Sequence, residues 1–455
     1  LGMLSGLILL GNLLRRKIGF LKKTLLPTSL IAGFLALGFR YFKILPLDQT
    51  FMEAITYHTI AIGFIALALR IPKRDKIKEG SPGDGVKSGA LIVSTYLLQG
   101  LLGLAITVIL SYTLSPGLFK AAGILLPMGY GQGPGQANNI GTAYETGYGF
   151  EGGASFGLAL ATTGFLWACL GGVVYMNILA KKQKIKLSEI KGKNSALSIS
   201  EVQDENEIPL SESIDRLSMQ IAMVLFIYLL TYLFSLGLTS LFDNIPALSG
   251  ASKTISPLIW GFNFLIGTLI AILARGVFGF LRKANIMTHQ YPNSFLLNRL
   301  SGFSFDLMIV SSICAIEISD LSGLWIPFIL LTIFGGIVTL IYLIWICKYL
   351  YPKYYYKGFL SMYGMLTGTI STGMLLLREV DPQFETPATN NLILGSTSAI
   401  VLGMPMLLLI GIAPKSIPML ILTFACLIVY LAVLVAFMLK GKRVFRRKHT
   451  NLFRR

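Results

Sequence analysis

Charge is scarce in this sequence. Of its 455 residues only 13% are Asp, Glu, Lys or Arg, with 21 acids against 39 bases and three histidines. Soluble domains carry about 25% charged residues, so an ordinary aqueous surface is excluded. The four cysteines (Cys169, Cys314, Cys347, Cys426) sit singly in apolar runs without paired spacing, which excludes a disulfide framework and a cysteine metal cluster. No Ser-His-Asp set, metal-ligand spacing or Gly-Lys-Ser/Thr phosphate loop occurs, so neither an enzyme nor an ATP-driven pump is expected, and no cofactor beyond a coupling ion.

What is present is hydrophobic sequence, 54% of the chain, in long runs such as Leu217 to Leu238 and Leu321 to Ile346. A lipid core of about 30 Å needs about 20 helical residues, and in lipid an unpaired backbone group costs several kcal/mol. Hydropathy predicts eleven helical spans, at 1–14, 24–42, 51–70, 89–112, 153–180, 217–238, 255–275, 303–319, 322–347, 389–413 and 416–439. The first apolar run precedes Arg15, Arg16 and Lys17, the reverse of a signal peptide, and reads as a first helix lacking residues at its start.

The net charge of +18 follows from topology rather than from a nucleic-acid partner. Alternate loops (15–23, 70–88, 181–216, 275–302, 348–378, 440–455) hold 34 of the 39 Lys and Arg. By the positive-inside rule these face the cytoplasm, with the amino terminus outside and the carboxyl terminus inside.

Two further apolar stretches, 118–146 and 357–380, are broken by glycines and read as re-entrant hairpins entering from opposite faces. After the first, residues 145–163 recur as 379–397: seven of nineteen positions are identical, including Glu145/Glu379, Phe150/Phe384 and Glu151/Glu385. Five spans and a hairpin per half is an odd number of crossings, so the second copy must be inverted. The expected fold is therefore an all-α polytopic membrane protein of two inverted repeats, each of five helices plus a re-entrant hairpin, with an extra C-terminal helix. The first repeat is 1–180, a cytoplasmic linker 181–216, the second repeat 217–413, and the extra helix with its basic tail 414–455. Inverted repeats with broken helices are a plan of secondary transporters.

The first hairpin carries Gly131, Gln132, Gly133, Pro134, Gly135, Gln136, Asn138 and Asn139. Alternating glycines around a proline cannot continue a helix, and freed helix ends present amides to anions and carbonyls to cations. The second carries Thr367, Gly368, Thr369, Ser371 and Thr372, where hydroxyls replace amides. Thr162, Thr163, Ser396 and Thr397 lie at equivalent depth in the spans that follow, although bonding back to its own helix is the ordinary role of a single hydroxyl. Sodium ligands are expected among Gln136, Asn138, Thr163, Thr369, Ser371 and Thr397. Arg378 closes the second hairpin and suits either a substrate carboxylate or a snorkelling role. Glu145 and Glu379 suggest a shared capping job. His58, Asp306 and Glu317 are candidates for a proton or cation relay.

These motifs resemble the sodium/glutamate symporter family over all but the last span. The likeness rests on Arg15 to Lys17 with Phe20 to Pro27, Ala32-Gly33, the Gly131-x-Gly133-x-Gly135 hairpin with Tyr148-Gly149-Phe150, and Leu366 to Ser371. The resemblance implies sodium-coupled glutamate uptake in a bacterial cytoplasmic membrane. Better-known members read Gly-His-Gly-Thr-Gly-Ala-Ala-Trp in the first hairpin and Ala-Thr-Pro-Thr in the second. Here Gln132, Pro134, Gln136 and Asn138 differ, as do Gly368 to Ser371. The expected function is sodium-driven symport of glutamate or a related amino acid or small carboxylate, anionic or zwitterionic, by alternating access. A proton-coupled or exchange carrier of another small organic anion is the alternative. A channel or a non-transporting scaffold is less favoured, and a homodimer is left open.

Overall fold

The computed structural model describes residues 1–23, 26–70, 82–182, 216–244, 256, 259–261, 263–287, 291–381 and 386–452, with the side chains of 371 and 441–452 among those outside it. Most of the 181–216 linker, together with Phe384 and Glu385, falls outside the described residues. Every regular element among the described residues is helical.

The helices are α1 (Gly2–Lys17), α2 (Thr28–Tyr41), α3 (Gln49–Leu69), α4 (Pro82–Tyr112), α5 (Pro134–Tyr148), α6 (Gly153–Leu166), α7 (Gly172–Lys181), α8 (Arg216–Asn244), α9 (Asn263–Lys283), α10 (Ser294–Ala315), α11 (Trp325–Leu350), α12 (Tyr355–Thr367), α13 (Ile370–Val380), α14 (Ala388–Ile412) and α15 (Ile417–Leu452). A π turn, Trp167–Gly171, joins α6 to α7. Among the described residues eight helical stretches are long and apolar enough to cross a membrane, in α3, α4, α6 with α7, α8, α9, α11, α14 and α15. The chain is an all-α polytopic membrane protein.

Two expected spans are displaced. The span expected at 303–319 is α10, which starts nine residues earlier because the Asn293 side chain accepts the Leu296 amide at 2.8 Å and caps the helix. The span expected at 255–275 is α9, which continues to Lys283 because Arg282 and Lys283 suit the negative end of a helix.

The chain divides into two compact units. The first comprises residues 1–8, 32–76 and 189–315. Its core joins Ile65, Ala66 and Leu69 of α3 to Val224 and Ile227 of α8, Ala271 of α9 and Leu297 of α10. Polar ties reinforce it, since helices in lipid gain little from hydrophobicity and associate through packing and hydrogen bonds. Thr56 and Ser311 share a hydrogen bond at 2.9 Å. Arg275 Nη1 donates to the carbonyls of Ala68 and Arg70 at 3.1 and 3.0 Å, capping the end of α3.

The second unit comprises residues 9–31, 77–188 and 316–455. Within it α14 and α15 pack along α4, and α6 packs against α11. Both broken segments belong to this unit, and each is a hairpin. Phe119, at the start of the first, stacks on Phe150, beyond its end, with ring centroids 4.8 Å apart. In the second, Lys357 near the start and Asp381 just past the end form a salt bridge at 3.3 Å. At 1.5 Å rise per residue the 13-residue α12 and 11-residue α13 reach about 20 and 17 Å, short of a lipid core of about 30 Å.

Candidate functional site

In the first hairpin an arm of 3₁₀, α and π turns over 120–132 ends at Gly133, whose φ of 93° and ψ of 179° lie in a region open essentially to glycine alone. Pro134 then starts α5 with its φ already helical and with no amide to lose. The second hairpin breaks at Gly368 and Thr369, where α12 stops and α13 begins. The two breaks touch: a Cβ on Gly133 would lie 3.3 Å from Thr369 Cγ2.

The ends of α5 and α13 at this junction are uncapped. Gly133 has no side chain, and Thr369 turns its hydroxyl to Thr372 at 3.3 Å instead of to the helix amides. The first helical bonds are Ala137 to Gly133 and Gly373 to Thr369, so the amides of Gly135, Gln136, Ile370 and Ser371 precede any partner within their own helix. Two positive helix ends thus converge in a stretch of sequence without formal charge, since 121–144 and 358–377 contain no Asp, Glu, Lys, Arg or His.

Gln136, Asn138 and Asn139 of the first hairpin lie on the opening turns of α5, Gln136 on the first of them. Gln136, 1% exposed, has neither its Oε1 nor its Nε2 in a hydrogen bond, and Asn138 Oδ1 is likewise unpartnered at 4% exposure. Buried polar atoms left unpaired cost about 1–3 kcal/mol each, so the opening turns of α5 concentrate unmet hydrogen-bonding capacity. Asn139 is also buried, Gly131 and Gly135 are buried, and Gln132 is half-buried at the end of the first arm.

The hydroxyls mostly serve their own helices. Thr162 donates to Leu158 O at 2.9 Å, Thr367 to Tyr363 O at 2.7 Å and Ser396 to Leu392 O at 2.6 Å. Thr397 donates to Ile393 O on an exposed face. Thr163 donates to Leu160 O and also faces Thr332 of α11 at 3.3 Å. Thr372 is buried beside Thr369, while the Ser371 side chain lies outside the described residues. Arg378 is exposed, and its backbone lies eight residues along α13, about 12 Å of helix from the break.

Glu145 accepts the Ala154 amide at 3.1 Å and caps α6. His58 Nδ1 shares a hydrogen bond with Tyr228 in the first unit, apart from both hairpins in sequence. At the base of the second hairpin, outside the spans, burial and the Asp84 carboxylate push the Tyr354 phenol up to about 12 against the pull of Asn391. It therefore stays protonated there.

Sequence reasoning missed two residues of α4. Tyr96 donates to Gly131 O at 2.9 Å, at the end of the first hairpin's arm. Gln99 Nε2 donates to Leu366 O at 3.0 Å, at the end of α12, and to Thr339 Oγ1 at 2.9 Å. One face of one helix therefore holds both hairpins next to their breaks. The available signal was two polar groups three residues apart within an apolar span.

Compared with family models, with curated proteins and with solved structures, the chain matches none.

Proposed function

We propose that this protein is a secondary active transporter that carries glutamate or a related amino acid or small carboxylate together with sodium by alternating access. The observation that carries this reading is the meeting of the two breaks at Gly133 and Thr369, with the unpartnered Gln136 amide buried on the first turn beside them. Uncapped amides attract a carboxylate. Carbonyl and amide oxygens attract a dehydrated sodium ion, and both ligands fit at paired helix breaks of inverted halves. We take the eleven spans and the inverted repeat as the framework, with the hairpin bases on opposite faces.

Sodium binding more tightly to one conformation would raise the population competent to take the solute, which is coupling by differential affinity. Purified protein in liposomes should accumulate radiolabelled glutamate, or another amino acid or dicarboxylate of a screened panel, against its gradient when sodium is outside. Uptake should collapse when potassium replaces sodium. Uptake that persists and follows a pH gradient would transfer the case to a proton-coupled carrier, and conductance steps in a planar bilayer would overturn the carrier reading altogether.

A further inference from the structure

Gln99 is fully buried in α4, and its amide is only half satisfied. Its Nε2 donates to Leu366 O and Thr339 Oγ1, whereas its Oε1 has no partner. The two acceptors come from the last turn of α12 and from α11, so three oxygens, those of Gln99, Leu366 and Thr339, belong to one buried cluster. The C-terminal end of α12 adds the negative pole of a helix, and its cap residue Gly368 returns no amide to the last carbonyls. A half-turn of the Gln99 amide about its last bond exchanges oxygen for nitrogen. It would then turn Oε1 toward the carbonyl and hydroxyl oxygens that the NH₂ group now serves.

We propose that Gln99 Oε1, Leu366 O and Thr339 Oγ1 are ligands of a monovalent cation of sodium's class. In the cation's absence the Gln99 NH₂ group takes its place on the two acceptors. The ligand set is neutral, which suits one positive charge stabilised by a helix end; divalent ions draw on carboxylates. The assignment rests on the sodium-coupled reading in that it gives the coupling ion an address. It lies off the sequence-derived ligand set, on the helix that also contacts the first hairpin through Tyr96. Cation occupancy at the end of α12 would therefore be felt by the helix that holds both breaks.

The test reads sodium binding directly, without transported solute. Purified protein is melted in choline chloride with increasing sodium chloride, and the sodium concentration giving half of the stabilisation is compared for wild type, Gln99→Leu and Gln99→Glu. Gln99→Leu should raise that concentration about tenfold or more, as loss of one ligand oxygen predicts. Gln99→Glu, which restores an oxygen, should bring it back to the wild-type value or below. An unchanged value in Gln99→Leu overturns the assignment, as does a wild type that sodium leaves unstabilised. Should Gln99→Leu not fold, Gln99→Glu decides: a sodium requirement raised tenfold by an added oxygen overturns it, and a lowered one supports it. Sodium-driven uptake with an unaltered Gln99→Leu response would leave the carrier reading standing and remove this site. A Gln99-dependent sodium response without uptake of any solute would do the reverse.

Discussion

Gln136 carries two opposing demands that a single substitution separates. Both polar atoms of its amide are buried and unpartnered, so the empty protein bears a cost of about 1–3 kcal/mol for each. Gln136→Leu, similar in volume and apolar, should raise the melting temperature of the ligand-free protein while abolishing uptake. A purely structural residue would lose both together. Gly133 gives the opposite sign. An alanine there must adopt φ near 93°, at a cost of about 1–3 kcal/mol, with its Cβ against Thr369. Gly133→Ala should therefore lower the melting temperature and weaken solute-dependent stabilisation, measured by the same thermal assay. At this scale the sequence was legible for the break itself, because glycine and proline act on their own backbone. It was not legible for the spacing of Arg378: only the helix axis sets its backbone about 12 Å along α13 from the break.

Hairpins, as elements, depend on how their bases close. The first is held by Phe119 stacked on Phe150, the second by Lys357 paired to Asp381, which is 2% exposed and also accepts the Thr386 amide at 3.1 Å. Lys357→Met would remove this ammonium from the Asp381 carboxylate; because the lysine is about a third exposed, the loss should be about 1–2 kcal/mol, nearer a screened pair than a buried one. We expect a matching fall in stability in denaturant, partly recovered in the Lys357→Met, Asp381→Asn double variant because the two changes share one interaction. The sequence offered both hairpins as interrupted apolar stretches. It did not offer their closures, since Lys357 read as one more positive-inside residue.

For the whole molecule, both sequence halves contribute helices to each compact unit. The proposed opposite entry of the hairpins makes a sided prediction. With Cys426 replaced by serine, the three remaining cysteines are buried. A cysteine at exposed Glu151 should then react with a membrane-impermeant maleimide on intact cells. One at exposed Lys353 should react only after permeabilisation. Labelling of both from the same side would remove the inverted topology and with it the framework of the proposed carrier.

Sequence alone determined which segments are apolar enough to live in lipid, where helices break and where basic loops alternate, because hydropathy, glycine, proline and charge act within a few residues of themselves. Tertiary structure decided which polar groups were left over. Tyr96 and Gln99 find acceptors 35, 240 and 267 residues away, and Gln136 finds none. Whether a buried amide is a tie or a ligand depends on what the folded chain brings within about 3 Å of it, and spacing along the sequence carries no record of that.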